Sequence, residues 1–96
     1  MRTFILSANG STATFTPPLI QDDLGVMLEV SVTGTFGSGN VTLEQSPDGT
    51  NWFVCGTAIS AKARQVISVY SGSLLRLTLA GATTPSLALF VTGGGI

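Results

Sequence analysis

"LGVMLEVSVT", residues 24 to 33, decides the fold. In an extended chain Leu24, Val26, Leu28, Val30 and Val32 fall on one side, and Gly25, Met27, Glu29, Ser31 and Thr33 on the other. Successive side chains of a strand point to opposite faces. A two-residue period sustained over this stretch therefore predicts a strand with an apolar core face and a mixed outer face. "LLRLTLA", 74 to 80, repeats the pattern, with Leu75, Leu77 and Leu79 inward and Leu74, Arg76, Thr78 and Ala80 outward. "SLALFVT", 86 to 92, sets Leu87, Leu89 and Val91 against Ala88 and Phe90.

Working outward, segments 2 to 7, 11 to 16, 40 to 46, 51 to 56 and 64 to 70 are rich in Val, Ile, Thr and aromatic residues and read as further strands. "TAISAKA", 57 to 63, has room for one helical turn at most. Turn formers punctuate the chain about every ten residues: Asn9-Gly10, Pro17-Pro18, Gly34, Gly37, Gly39, Pro47-Asp48-Gly49, Gly72, Gly81 and Pro85. The expected fold class is all-β, a two-sheet β-sandwich of jelly-roll or Ig-like type with about eight short antiparallel strands, or else a small barrel. At 96 residues the chain has room for one core, so residues 1–96 are read as a single domain. A faint internal echo relates Leu28–Gly34 to Leu75–Gly81; two half-buried hairpins are enough to produce it.

Only 9% of the residues are charged, against roughly 25% in ordinary soluble domains. With a net charge of -1 and a mean hydropathy of +0.48, the chain reads as a subunit whose surface is largely covered by protein neighbours. Its four basic residues are scattered and cannot neutralise a run of phosphates, so no nucleic-acid partner is expected. With no histidine and a single cysteine, Cys55, the chain lacks the usual general base, the commonest transition-metal ligand and an internal disulfide. No apolar run approaches the roughly 18 residues of a membrane span, and Phe4-Ile5-Leu6 is too short for a signal-peptide core. A leaderless protein made in a cytoplasm, with no membrane partner, is the expectation.

The candidate sites are few. In "VTLEQSPDGTNWFVCG", 41 to 56, Pro47 has the φ of a turn's second position, Asp48 suits the third, and Gly49 supplies a left-handed residue. Chain reversal explains all three, and on that reading Asp48→Ala costs little. Calcium coordination by Asp48 and Asn51 falls far short of the roughly six to eight oxygens the ion takes. Trp52 is expected to anchor the core or an interface. Asp22-Asp23 is the only acidic pair, and adjacent residues of an extended chain point apart; a solvated loop explains them. Ser7 and Ser11 have no activating base, and Lys62 and Arg64 sit near each other without a partner motif. Cys55 reads as a small buried hydrophobe. No enzyme activity, cofactor or metal is expected. The outer strand faces are uncharged without being fully greasy, as wet protein interfaces are. The candidate interface residues are Met27, Glu29, Leu74, Arg76 and Phe90, with Trp52 beside them.

The "SPDGTNW" hairpin followed by the late hairpin "LLRLTLAGATTPSLALFVTG" resembles small all-β virion proteins of tailed bacteriophages, in particular the capsid cement or decoration proteins. The resemblance covers residues 26 to 93 and rests on turn chemistry and alternation. It implies a β-sandwich subunit on the capsid surface, assembled as a homotrimer or homodimer, that clamps neighbouring major capsid proteins. No site residue carries over, because that class shares no catalytic or ligand motif. The alternative is a carbohydrate-binding or receptor-binding module of a head or tail fibre, for which Trp52 and Tyr70 would supply the stacking platform.

Overall fold

The computed structural model describes residues 2–16, 25–70 and 73–92, with only the main chain at 26 and 70. Expectations for Pro17-Pro18, Asp22-Asp23, Leu24 and Gly72, and for the side chains of Val26 and Tyr70, lie outside the described residues. Eight strands form among those described: β1 (Arg2–Leu6), β2 (Gly10–Ser11), β3 (Gly25–Thr35), β4 (Asn40–Ser46), β5 (Phe53–Ile59), β6 (Ala63–Tyr70), β7 (Leu74–Ala80) and β8 (Ser86–Thr92). They make two four-stranded sheets, ordered β1-β8-β3-β6 and β2-β7-β4-β5, with every pairing antiparallel. β1 pairs with β8, β2 with β7, β3 with β6 and β4 with β5, which is one long hairpin; β3·β8 and β4·β7 join when that hairpin wraps on itself. This is the strand order of a jelly roll, and it removes the Ig-like alternative.

The alternation places the core as expected. Leu28, Val30 and Val32 of β3, Leu75, Leu77 and Leu79 of β7, and Leu87, Leu89 and Val91 of β8 are all buried, joined by Val41, Leu43, Ile59, Ile67 and Val69. The two echoing segments hold equivalent places: adding four to the strand numbers of β1-β8-β3-β6, and counting on from one after eight, gives β5-β4-β7-β2, the other sheet reversed. β3 and β7 are thus equivalent interior strands of opposite sheets.

The largest departures from the sequence reading lie at β2 and β5. Of the segment 11 to 16, only Ser11 joins a strand; Phe15 adds an isolated bridge to Leu75, closed by hydrogen bonds of 2.9 and 2.7 Å. That bridge seats the Phe15 ring in the core, 5.2 Å from the ring of Phe4. β5 begins at Phe53, leaving Trp52 outside it, and it continues to Ile59 where a helical turn had room to form. The extension to Ile59 contains an irregularity opposite β4. Val41 pairs with Ile59 and Leu43 with Cys55, so two steps along β4 span four along β5. Gly56, at φ 77°, takes up the bulge, and Gln65 of β6 caps it: its side-chain amide accepts from Thr57 N at 2.9 Å and donates to Thr57 O at 3.1 Å. A side chain thus stands in for a ladder partner on the exposed edge of β5.

Candidate interaction faces

The turn after β4 is closed entirely from within. Ser46 Oγ accepts from Gly49 N at 2.7 Å and donates to Asp48 Oδ1 at 3.0 Å. Asp48 Oδ1 also accepts from Thr50 N and Asn51 N, at 2.9 and 2.8 Å, and Oδ2 accepts from Asn51 Nδ2 at 2.8 Å. The bonds from Asn51 N and Thr50 N, then that from the Asn51 side chain, hold the Asp48 carboxyl far below its ordinary range. Both oxygens are committed to the loop, which is geometry for reversing a chain. Gly49 has φ 80°, the left-handed conformation its position called for.

The small cost assigned to Asp48→Ala on sequence grounds does not survive this network. Removing the carboxylate strips three backbone or side-chain donors of Asn51 and Thr50 of their acceptor. We expect Asp48→Ala to melt lower than wild type, and Gly49→Val to lose about 1 to 2 kcal/mol to positive φ, worsened because a Cβ there meets Leu74 Cδ1 at 3.2 Å. Thermal unfolding followed by circular dichroism checks both. A calcium-dependent melting temperature in wild type, lost in Asp48→Ala, would show instead that the carboxylate binds an ion.

On the outer face of β2-β7-β4-β5 a polar chain runs across the strands. Glu44 and Arg76 are directly opposed on β4 and β7, and Arg76 Nε donates to Glu44 Oε1 at 2.8 Å. Thr78 Oγ1 donates to the same oxygen at 2.5 Å. Since that hydroxyl has one proton, Ser11 Oγ, 2.8 Å from Thr78 Oγ1, must be the donor to it. The Arg76 guanidinium carbon lies 4.0 Å from the centroid of the Trp52 ring, a cation–π contact that places this half-buried ring on the outer face and not in the core. Burial pushes the Glu44 pKa up, but the Thr78 and Arg76 hydrogen bonds and the Arg76 charge outweigh it and leave it lowered from 4.5. The stabilisation this carboxylate contributes is therefore present above about pH 4.5 and fades as pH falls through the lowered folded value.

Behind this face Cys55 is half-buried, its Sγ donating to Leu43 O at 3.4 Å. Burial, then the charge of Glu44, pushes its pKa from 9.0 up to about 11. We expect native Cys55 to alkylate about a hundredfold more slowly at pH 8 than in the unfolded chain, since the thiolate is the reacting form. Timed iodoacetamide labelling with and without denaturant measures the ratio.

The outer face of β1-β8-β3-β6 is built differently. Register places Ile5, Ala88 and Thr33 in one row across the strands, Thr3, Phe90, Ser31 and Arg64 in the next, then Thr92, Glu29 and Val66, then Met27 and Ser68. Ile5 is 70% exposed, Val66 60% and Met27 59%. Arg64 Nη2 donates to Glu29 Oε1, neutralising both charges in an exposed ion pair of the kind worth about 0 to 1 kcal/mol. A groove of about 550 Å³ runs beside Phe90, Ser31 and Arg64 toward Lys62.

The six candidate interface residues therefore do not share a surface. Met27, Glu29 and Phe90 stand on the outer face of β1-β8-β3-β6, while Leu74 and Arg76 belong to the opposite sheet, with Trp52 against Arg76. Sequence reasoning missed Ile5 and Val66, the most exposed apolar residues of the first face; period-two alternation in "RTFIL" and "ARQVISVY" carried the signal. Among the described residues no cluster of three or more His, Cys, Asp or Glu side chains is placed to hold a metal ion. No protein family, curated protein or solved structure matches the chain.

Proposed function

We propose that this chain is a structural virion subunit, a capsid cement or decoration protein that binds the outer shell and bridges major capsid proteins. The observation that carries the reading is the sheet face on which Ile5, Met27 and Val66 are exposed beside a single self-neutralised ion pair. Such a face is unfavourable to leave in water and well suited to burial against protein. The jelly-roll strand order agrees with it, since capsid and lectin domains both use that architecture, and so does the resemblance of the two hairpins to decoration proteins. The alternative, a sugar- or receptor-binding fibre module, needs an open aromatic platform, and the Arg76 guanidinium lies over the Trp52 ring.

Adding purified chain to shells that lack it tests the proposal. Stoichiometric binding and a raised temperature of shell disruption are the expected result. Chain that stays in the supernatant while binding an immobilised glycan would replace the cement reading with the fibre reading.

A further inference from the structure

We propose that Asn9-Gly10 is a self-modification site: the Asn9 side chain cyclises onto Gly10 N and deamidates when its clasp on Ala82 opens, and the product cannot re-form that clasp. This chemistry is independent of what the chain binds. Gly10 N loses its proton and attacks Asn9 Cγ; a C–N bond forms, Nδ2 leaves as ammonia, and a cyclic succinimide remains. Water then opens the ring at either carbonyl and leaves aspartate or isoaspartate at position 9. Glycine favours the attack, because a Cβ on the attacking residue would crowd it. Both residues are exposed, and nothing lies within 4 Å of where a Gly10 Cβ would stand, so water reaches the reacting atoms.

The clasp sets the rate. Asn9 Nδ2 donates to Ala82 O and Oδ1 accepts from Ala82 N, each at 2.9 Å, which holds the amide flat and in one orientation. Attack makes Cγ tetrahedral and lifts Oδ1 and Nδ2 out of the plane that this pair requires. The ring therefore closes only from the open state, which a surface loop reaches without global unfolding. Two hydrogen bonds of ordinary net strength slow the reaction on the order of tenfold to a hundredfold relative to the unfolded chain.

The other dipeptide of this kind, Asp48-Gly49, is closed to the same reaction. Cyclisation there needs a neutral carboxyl that can lose water, and the hydrogen bonds from Asn51 and Thr50 keep Asp48 ionised. Gly49 N, the would-be nucleophile, already donates to Ser46 Oγ at 2.7 Å. Modification is thus directed to position 9, and its product matters because of what it faces. A carboxylate oxygen in place of Nδ2 meets Ala82 O with no proton between them, and isoaspartate also lengthens the main chain by one carbon. Thr83, next along, donates its N–H to Gly37 O, so release of Ala82 loosens the loops at that end of the sandwich.

Incubation at mildly alkaline pH, folded and in urea, followed by peptide mapping that separates aspartate and isoaspartate from asparagine, tests this. Folded wild type should convert first at position 9, and about tenfold to a hundredfold more slowly than the unfolded chain. Gly37→Ala, which displaces Thr83, should speed folded-state conversion severalfold. Val69→Ala, which cuts into the core on edge strand β6, should convert at the wild-type rate while folded. Asn9→Asp should melt below wild type at neutral pH and show faster hydrogen exchange at Ala82 N–H. Equal rates in folded and unfolded chain, conversion at Asp48 ahead of Asn9, equal acceleration by Gly37→Ala and Val69→Ala, or wild-type stability and Ala82 exchange in Asn9→Asp would each overturn the proposal.

Discussion

Leu77→Ala should lower stability by about 2 to 5 kcal/mol, the largest effect expected from a single core truncation. Leu77 lies fully buried at the middle of β7, an interior strand between β2 and β4, and it is paired with Leu43, itself buried. Its main chain is fixed as well: Leu77 N donates to Thr12 Oγ1 at 3.1 Å, and Leu77 O accepts from Thr12 N at 2.8 Å. Strand neighbours held on both sides cannot collapse into the space left by the lost side-chain atoms, so the cavity term adds to the lost transfer energy. A domain of this size has about 5 to 15 kcal/mol in total. At roughly 4 to 8 °C per kcal/mol, the melting temperature should fall by about 10 to 40 °C. Leu77→Met, which nearly conserves volume, should lose under about 1.5 kcal/mol. Equal losses for the two variants in denaturant titration would mean that shape, and not volume, governs this position.

That core was legible because alternation is a local signal. Every described residue assigned inward on β3, β7 and β8 is buried, since a strand's period of two converts position directly into face. Neighbours are another matter. Whether β3 lies beside β8 or β4 depends on how a hairpin spanning the whole chain wraps, and no stretch of ten residues encodes it. The same limit explains the interface candidates. Parity put Met27, Glu29, Phe90, Leu74 and Arg76 correctly outward, but it cannot say which of two outward faces a strand presents, so residues of opposite sheets were grouped together.

The polar contacts were hidden for a related reason. Glu44 and Arg76 are 32 residues apart in sequence, as the ion pair's partners, and become opposed only through the β4·β7 register. Trp52 reads from the sequence as a strand residue that anchors the core or an interface; β5 begins only at Phe53, so Trp52 lies outside the ladder, under Arg76. The turn chemistry of Pro47-Asp48-Gly49, by contrast, is local, and its left-handed glycine was readable. What was not readable is how completely Ser46 and Asn51 would use up the Asp48 oxygens, because that depends on side-chain rotamers within the loop.

Gly37→Ala against Gly81→Ala separates two costs that sequence alone cannot distinguish. Both glycines adopt left-handed backbone, at φ 59° and 73°. An alanine at either position meets the same intrinsic penalty, about 1 to 2 kcal/mol. Their surroundings differ. A Cβ at Gly81 has nothing within 4 Å, whereas one at Gly37 would lie 2.0 Å from Thr83 O and 2.9 Å from Thr83 C and N. Those are main-chain atoms, so no rotamer change relieves the overlap, and Thr83 is held in place by its own N–H donating to Gly37 O at 2.9 Å. The neighbouring Ala82 is tied in turn by Asn9, whose side chain accepts from Ala82 N and donates to Ala82 O, each at 2.9 Å. Moving Thr83 therefore strains the loops before β2, after β3 and after β7 together. Gly81→Ala should lose about 1 to 2 kcal/mol and melt roughly 5 to 15 °C below wild type; Gly37→Ala should lose about 3 kcal/mol or more, near the upper range for one backbone substitution. Chemical denaturation of the two variants side by side gives the difference. If they prove equally stable, the close approach of the 36–39 and 81–85 loops does not hold that end of the sandwich shut.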